Sequence, residues 1–306
     1  MKSSTGHVTL FYKALTVLDA ATLDPLQGLM GQSWYVDVGL TGTTDDESVV
    51  ADFSKIKNKI KKIIDEKIDH RLILDSQLVQ VLGSVGKLDY RFGSNQVYEI
   101  QYQAPLEAYC LLPFGYDEKS LETYIATVVK NEMPENIKQV EIILRGENFS
   151  EMFHYTHGLK QHYGNCQRLF HGHKNTIEIW KNGSRDHNWE KQLSQSVFKG
   201  NIHFAFWENV INKSSLINLF SQNDQFAPEG IISGDAIVEL EYTSGQGKYS
   251  AKLPSQQVFF MPCETTVENI AMFFASWIKR SWASPTDKIM VVAYEGIAKG
   301  AKAIAH

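Results

Sequence analysis

The sequence predicts an α+β chain built as two tandem units of the form β-β-α-β-β-α-β. Three observations carry this. At 306 residues the chain has the length of two ordinary domains. Short stretches of β-branched and aromatic residues alternate with polar ones, the two-residue period of half-buried strands, and between them lie runs whose apolar residues recur at three and four. This order, begun at Val8, starts again at Phe153. The boundary falls near Asn148, which gives units over 1–148 and 149–306.

Val8 to Leu18 and Trp34 to Thr41 ("WYVDVGLT") alternate and are punctuated by Gly28, Gly31 and Gly42, so they read as paired strands. Asp52 opens "DFSKIKNKIKKIIDEKIDH", in which Phe53, Ile56, Ile60, Ile63, Ile64 and Ile68 form one apolar stripe and Asp52 suits the N-cap. Val97 to Gln103 reads as a strand, Leu121 to Lys130 as a helix and Val140 to Arg145 as the closing strand. In the second unit, Phe153 to His157 and Thr176 to Trp180 read as strands. After a long middle from Lys181 to Gly234 without a clear pattern come a strand Ile237 to Tyr242, a helix Val267 to Arg280 and a strand Lys288 to Tyr294. Neither low-complexity sequence nor a proline-rich linker separates the halves, so they are expected to pack closely.

Composition narrows the function. Hydrophobic residues are 43% and charged residues 21%, the balance of a folded globular chain. A net charge of −5 and a pI near 6.1 argue against nucleic acid as a partner. The one basic cluster, Lys55 to Lys67, is interleaved with Asp65 and Glu66 as on a solvated helix face. No apolar run reaches the ~18 residues of a membrane span, and "MKSSTGHVTLFYKAL" lacks the apolar core of a signal peptide, so a cytoplasmic location is expected. Cys110, Cys166 and Cys263 are odd in number and scattered, which fits free thiols in a reducing compartment.

The chemistry concentrates in "GNCQRLFHGHKNTIEIW". Residues i and i+2 of a strand share a face, so His171 and His173 aim their rings at one point. His157, in "FHYTHGL", lies one strand and loop upstream, where an antiparallel neighbour brings it alongside. Three histidines with an open fourth position make a catalytic zinc site. On spacing alone a second reading stands, an exposed polar strand face. Cys166 likewise has two: a small buried hydrophobe, or a thiol activated beside a metal and histidines.

The succession Phe153-x-x-x-His157, Cys166 and His171-Gly172-His173 resembles the 6-pyruvoyltetrahydropterin synthase and 6-carboxytetrahydropterin synthase family. Near the C-terminus, "ETTVENIAMFFASWI" resembles that family's Thr-x-Glu helix start, and "IMVVAYEGIAKGA" its last strand, where a glutamate anchors the pterin. The resemblance implies that Zn2+ is held by His157, His171 and His173, that Glu295 anchors the pterin, and that Thr266 and Glu268 help bind substrate. A carboxylate suits the anchoring task because it accepts two hydrogen bonds from the guanidine-like edge of the ring.

The first half resembles the family in other residues. "VVADFSKIKNKIKKIIDEKIDHRLIL" follows its Asp-Phe helix, and Ile68-Asp69-His70-Arg71-Leu72-Ile73 its Leu-Asp-His element, so Asp69 and His70 fall on the catalytic Asp-His pair. The counterpart of His-Gly-His reads "LMGQSWYVDVGL", with Gly31, Gln32 and Ser33 where zinc ligands would stand. The second half in turn offers no Asp-His pair after its Trp180 strand. Each half thus lacks what the other keeps, and one composite site between them is expected, with Cys166, Asp69 and His70 as catalytic residues.

The fold implied by the resemblance is two tandem tunnelling (T-fold) units, each an antiparallel four-stranded sheet with helices on one face. The activity implied is a zinc-dependent lyase acting on 7,8-dihydroneopterin triphosphate in tetrahydropterin or queuosine biosynthesis, giving a 6-pyruvoyl or 6-carboxy tetrahydropterin. Sheets with exposed edges imply a homo-oligomer. Two alternatives are a non-catalytic pterin- or purine-binding scaffold with structural zinc, and a uricase-like oxidation needing no zinc.

Overall fold

The structure, a computed structural model, describes residues 7–220, 228–232 and 234–306. In the first unit, β1 (Val8–Asp24) and β2 (Gly28–Gly42) form a long antiparallel pair. Asp24 Oδ1 accepts the amides of Leu26 and Gln27 at their turn, and Gly28, at φ 77°, supplies the left-handed residue that closes it. The helix α1 (Phe53–Lys67) starts where predicted: Asp52 accepts the Lys55 amide at 2.8 Å, and Ile56, Ile60, Ile63 and Ile64 are buried. There follow β3 (Leu72–Asp75), β4 (Val79–Leu82), β5 (Val85–Phe92), β6 (Tyr98–Pro105), β7 (Tyr109–Leu112), α2 (Glu118–Asn131) and β8 (Ile137–Arg145). The sheet order is β7-β3-β1-β2-β8. Its ladder β1-β2-β8 is antiparallel, and the short β3 and β7 extend it in parallel. Both helices cover one face, where Ile60, Leu121 and Val129 meet Leu18, Trp34 and Ile142.

The second unit repeats this. It comprises β9 (Phe153–His157), β10 (His171–Asn175), β11 (Ile177–Lys181), β12 (Ser184–Arg185), α3 (His187–Lys191) running into a π-helical turn, β13 (Asn201–Phe206), α4 (Lys213–Leu216), β14 (Ile237–Ser244), β15 (Gly247–Pro254), β16 (Val258–Met261), α5 (Val267–Ser281), β17 (Ile289–Tyr294) and β18 (Gly300–Ala305). β10 and β11 are one strand interrupted at Thr176, so the orders β10-β9-β13-β16 and β12-β11-β17-β18 together reproduce the first sheet. The patternless middle therefore contains counterparts of α1 and β3. Its helix is too short to show a period, and residues 221–227 and 233 lie outside the described residues.

Two features join the units. The hairpins β5-β6 and β14-β15 meet edge to edge, Ala251 opposite Tyr102, in a sheet ordered β14-β15-β6-β5-β4. Beneath it a core draws on both halves, including Leu72, Tyr102, Phe170, Leu240 and Phe260. Elsewhere β2 crosses β10 so closely that a methyl on Gly172 would stand 2.5 Å from the Gly31 Cα. A glycine is needed on each side of that crossing.

The ladders also align the halves. Thr22, Ala21 and Ala20 pair with Met30, Gly31 and Gln32 as His157, Thr156 and Tyr155 pair with His171, Gly172 and His173. The positions matching the three histidines are thus Thr22, Met30 and Gln32, not the Gly31, Gln32 and Ser33 expected from the sequence. The frame moves because Gly31 matches Gly172, and the absence of histidine from these positions stands.

Candidate active site

His157 ends β9, and His171 and His173 stand two residues apart on β10, with His171 paired to His157 across the ladder. All three are fully buried, and each leaves its Nε2 without a hydrogen-bond partner. Buried polar atoms are seldom left so, and three imidazole nitrogens orphaned together fit a cation. Two of the far sides are held by hydrogen bonds. His157 Nδ1 donates to the Thr265 carbonyl at 2.7 Å, and His171 Nδ1 to the Arg168 carbonyl at 2.9 Å. The third, His173 Nδ1, stands at ion-pair distance from Asp19 Oδ1, 3.2 Å, with no hydrogen bond of its own. Burial and the neighbouring imidazoles hold His157 and His171 well below the usual histidine range, hence neutral and able to ligate.

Glu295 joins this group. One donor atom from each of His157, His171, His173 and Glu295 lies within 4.8 Å of the others. Its backbone is set by the turn from β17 to β18, where the Glu295 amide donates to the Lys299 carbonyl at 3.0 Å. Tyr155 supports the wall from below, its ring 5.0 Å from that of His173 and its hydroxyl donating to the Tyr294 carbonyl at 3.1 Å.

The first half brings in Asp69 and His70, in the turn between α1 and β3. His70 has φ 57°, an uncommon conformation for a residue with a side chain and one that structures keep at sites under constraint. The turn is pinned twice: the His70 amide donates to the Asp19 carbonyl at 2.7 Å, and Asp69 Oδ1 accepts the Asp19 amide at 2.9 Å. Asp69 Oδ2 and His70 Nδ1 are 2.5 Å apart. The His70 ring stacks on His171 with centroids 5.1 Å apart, across the boundary between the halves. Burial opposes a charge on His70, but Asp69 and the Cys166 thiol outweigh it and raise its pKa to about 10.

Cys166, half-buried in a 3₁₀ turn over Gly164–Gln167, completes a second group with His70 and His171, again within 4.8 Å. Cys166 and His70 line a cleft of about 360 Å³ that also takes in Lys61, Asp69, Ile297 and Lys299. The structure thus assembles His157, His171, His173, Glu295, Cys166, Asp69 and His70. It gives the other two expected residues different surroundings. Thr266 caps α5 by accepting the Asn269 amide, and Glu268 is exposed in the first turn of that helix. Thr265, one residue earlier, is the one that orients His157.

Besides Thr265, three residues at this site escaped the sequence reading. Asp19 touches both His173 and the Asp69-His70 turn. Arg168 donates from the second half to the carbonyls of Asp69 at 3.2 Å and His70 at 3.4 Å. Lys299 sits 3.3 Å from Asp19 Oδ2. The signal for Asp19 is an acid inside an apolar strand, "TVLDAAT", and for Arg168 a cation between Cys166 and His171.

The sequence family described as 6-pyruvoyl tetrahydropterin synthase matches this chain twice, over residues 9–141 and 148–303. No curated protein matches. Among solved structures, the 6-pyruvoyltetrahydropterin synthase of Plasmodium vivax is 19% identical, at a TM-score of 0.34, with 46% of this chain covering 99% of that one. The synthase of Plasmodium falciparum is 20% identical over the same shares, also at 0.34. The two matches together span nearly the whole chain, and the repeat seen in the strand ladders falls on them: the chain belongs to the 6-pyruvoyl tetrahydropterin synthase family, with two copies of its unit in one polypeptide.

Proposed function

We propose that the chain is a zinc-dependent pterin lyase acting on 7,8-dihydroneopterin triphosphate at one composite site per chain. One observation carries this reading: His70 of the half without the histidine cluster stacks on His171 of the half whose three clustered histidines leave their Nε2 atoms unpartnered, with Cys166 beside both. Zinc, held by His157, His171 and His173, would supply Lewis acidity toward the oxygens of the substrate side chain. The other tasks fall to this chain's own groups. Cys166 takes a proton from the side chain as base. His70, kept protonated by Asp69, returns one as acid, which suits an imidazole whose pKa is raised to about 10. Glu295 receives the pterin edge. Loss of triphosphate with internal redox gives a 6-pyruvoyl product, and side-chain cleavage a 6-carboxy one.

The surroundings follow from the same reading. The substrate is a small molecule, and a net charge of −5 suits neither nucleic acid nor an anionic membrane surface. No helix among the described residues is long and apolar enough to cross a membrane, and the place proposed for this chemistry is the cytoplasm. The outer strands β8 and β18 keep one edge without a partner strand among the described residues, with Ile143 and Ile304 exposed on them, which supports a homo-oligomer.

A second reading has one observation in its favour. Glu295 lies in the histidines' own donor group, and four closed ligands are the form of a structural zinc site rather than a catalytic one. Anaerobic incubation of the zinc-loaded protein with dihydroneopterin triphosphate separates the two. Formation of a 6-carboxy or 6-pyruvoyl tetrahydropterin, lost in His70→Ala with zinc retained, is expected. Tight zinc and no product would leave the scaffold reading.

A further inference from the structure

Two of the three histidines are oriented by neutral backbone carbonyls of their own half. The third is not. His173 Nδ1 faces a carboxylate from the other half, Asp19 Oδ1, at 3.2 Å, although 154 residues separate them in sequence. Asp19 is 2% exposed, in the fully buried stretch of β1 from Asp19 to Thr22. A buried carboxylate is costly unless it is held, and this one is held on every side. Ser33 Oγ donates to its Oδ1 at 2.5 Å, and Lys299 Nζ stands 3.3 Å from its Oδ2. Gly296 passes beside it where any side chain would collide with the carboxylate. Each carboxylate oxygen thus has a donor or a cation beside it, Ser33 Oγ and the His173 ring at Oδ1 and the Lys299 ammonium at Oδ2.

Its backbone reaches the second motif. The Asp19 amide donates to Asp69 Oδ1, and the Asp19 carbonyl accepts the His70 amide. One residue therefore bears on the histidine cluster through its side chain and on the Asp69-His70 turn through its main chain.

We propose that Asp19 is a positioning residue: its carboxylate, supplied across the boundary between the halves, fixes His173 with the proton on Nδ1 and the lone pair on Nε2, ready for the metal. This rests on the zinc reading above. An anionic acceptor behind one imidazole makes that ligand a stronger donor than the other two, and outer partners of this kind set metal affinity by about 10- to 100-fold. The half without ligands thereby tunes the half that has them.

The test uses the full chain, with zinc affinity from competition against a chromogenic chelator and the visible absorption of the cobalt-loaded protein as readouts that need no turnover. Asp19→Asn keeps the shape and removes the charge. It is expected to weaken zinc binding by about 10- to 100-fold and to move the cobalt bands while leaving their tetrahedral intensity. In a His173→Ala background, where the ligand it serves is gone, the same substitution should change affinity by less than about twofold. If Asp19→Asn does not fold, Ser33→Ala carries the test: it strips a competing donor from the oxygen that faces His173, leaves that oxygen the stronger acceptor and should shift the bands in the opposite direction, and unchanged bands would overturn the role. Tight zinc in the native protein with unchanged affinity and bands in the variant overturns the role of Asp19 alone. No zinc bound by the native protein at micromolar concentrations overturns this proposal together with the metal reading beneath it.

Discussion

Gly31→Ala tests whether the two halves depend on the crossing of β2 over β10. Gly31 is not in a left-handed conformation, so alanine can adopt its backbone, and only space decides the outcome. The added methyl would lie 2.5 Å from His173 N and 2.6 Å from His173 O, closer still to the Tyr155 carbonyl oxygen, where ordinary contact begins at 3.4 Å. All three neighbours are backbone, so no rotamer relieves the clash, and the strands must part by more than the roughly 0.9 Å that the His173 nitrogen alone demands. Overpacking a tight site costs about 1–3 kcal/mol, and a backbone-on-backbone clash belongs at the upper end. The moved peptide is that of His173, so the histidine cluster loosens with the interface, and a displacement near 1 Å is enough to spoil a preorganised site. Urea unfolding and chelator competition read the two effects: a loss of about 3 kcal/mol with weaker zinc binding is expected. A midpoint and affinity equal to the parent's would show that the halves do not need this approach, and the composite site would lose its structural basis.

Arg168→Met keeps the apolar stem but removes the bonds to the Asp69 and His70 carbonyls, so turnover should fall about tenfold through misplacement of His70 while zinc stays bound; parallel loss of zinc would assign Arg168 to general stability instead. Asp37, gripped by Arg145 at 2.8 and 2.9 Å and by the Ala14 amide, has its carboxyl held well below the usual range, chiefly by the Arg145 hydrogen bonds. A lowered native pKa gives stability that is full above the unfolded value of about 4 and drains away as pH falls below it. Asp37→Asn should therefore be less stable by about 1–3 kcal/mol at pH 7, with the gap narrowing from pH 4 downward; a gap constant with pH would refute the assignment. Burial pushes the Cys110 thiol up to about 12, so iodoacetamide at pH 8 should leave it unmodified in the native protein and label it only in denaturant. Labelling of Cys110 as fast as of the half-buried Cys166 would contradict its place in the core.

How much of this was legible in the sequence follows from how local each signal is. α1 announces itself because five isoleucines and a capping aspartate lie within seventeen residues of one another, and the structure keeps the cap and the stripe. β13 does not, because a parallel strand buried on both faces has no alternation, and the short α3 before it has no period to read. At the site, His171 and His173 share a face by the two-residue rule, and His157 follows from one ladder. Asp19 shows in the sequence only as an acid inside an apolar strand, with its role hidden. Nothing within its own strand asks for a carboxylate, and the imidazole that does comes from the other half of the chain.

The ladders make the division between the halves more complete than the motifs suggested. Carried from one unit to the other, the register sets Thr22, Met30 and Gln32 against the three histidines, and Gly146 against Glu295. It also sets Gly200 and Asn201 against Asp69 and His70. A hydroxyl, a thioether and an amide do not replace three imidazoles around zinc, and Gly-Asn neither gives nor takes a proton. The tight turn from Asp24 to Gly28 likewise replaces the loop that carries Cys166. Two copies of one unit therefore hold one histidine cluster and one Asp-His pair between them, and these face each other across the same boundary. Losses of that kind are tolerable only if the partner stays attached. The glycine crossing, the shared sheet and the bonds of Asp19 and Arg168 fix that attachment, and a fused chain supplies each motif with its partner at an effective concentration set by the fold rather than by assembly.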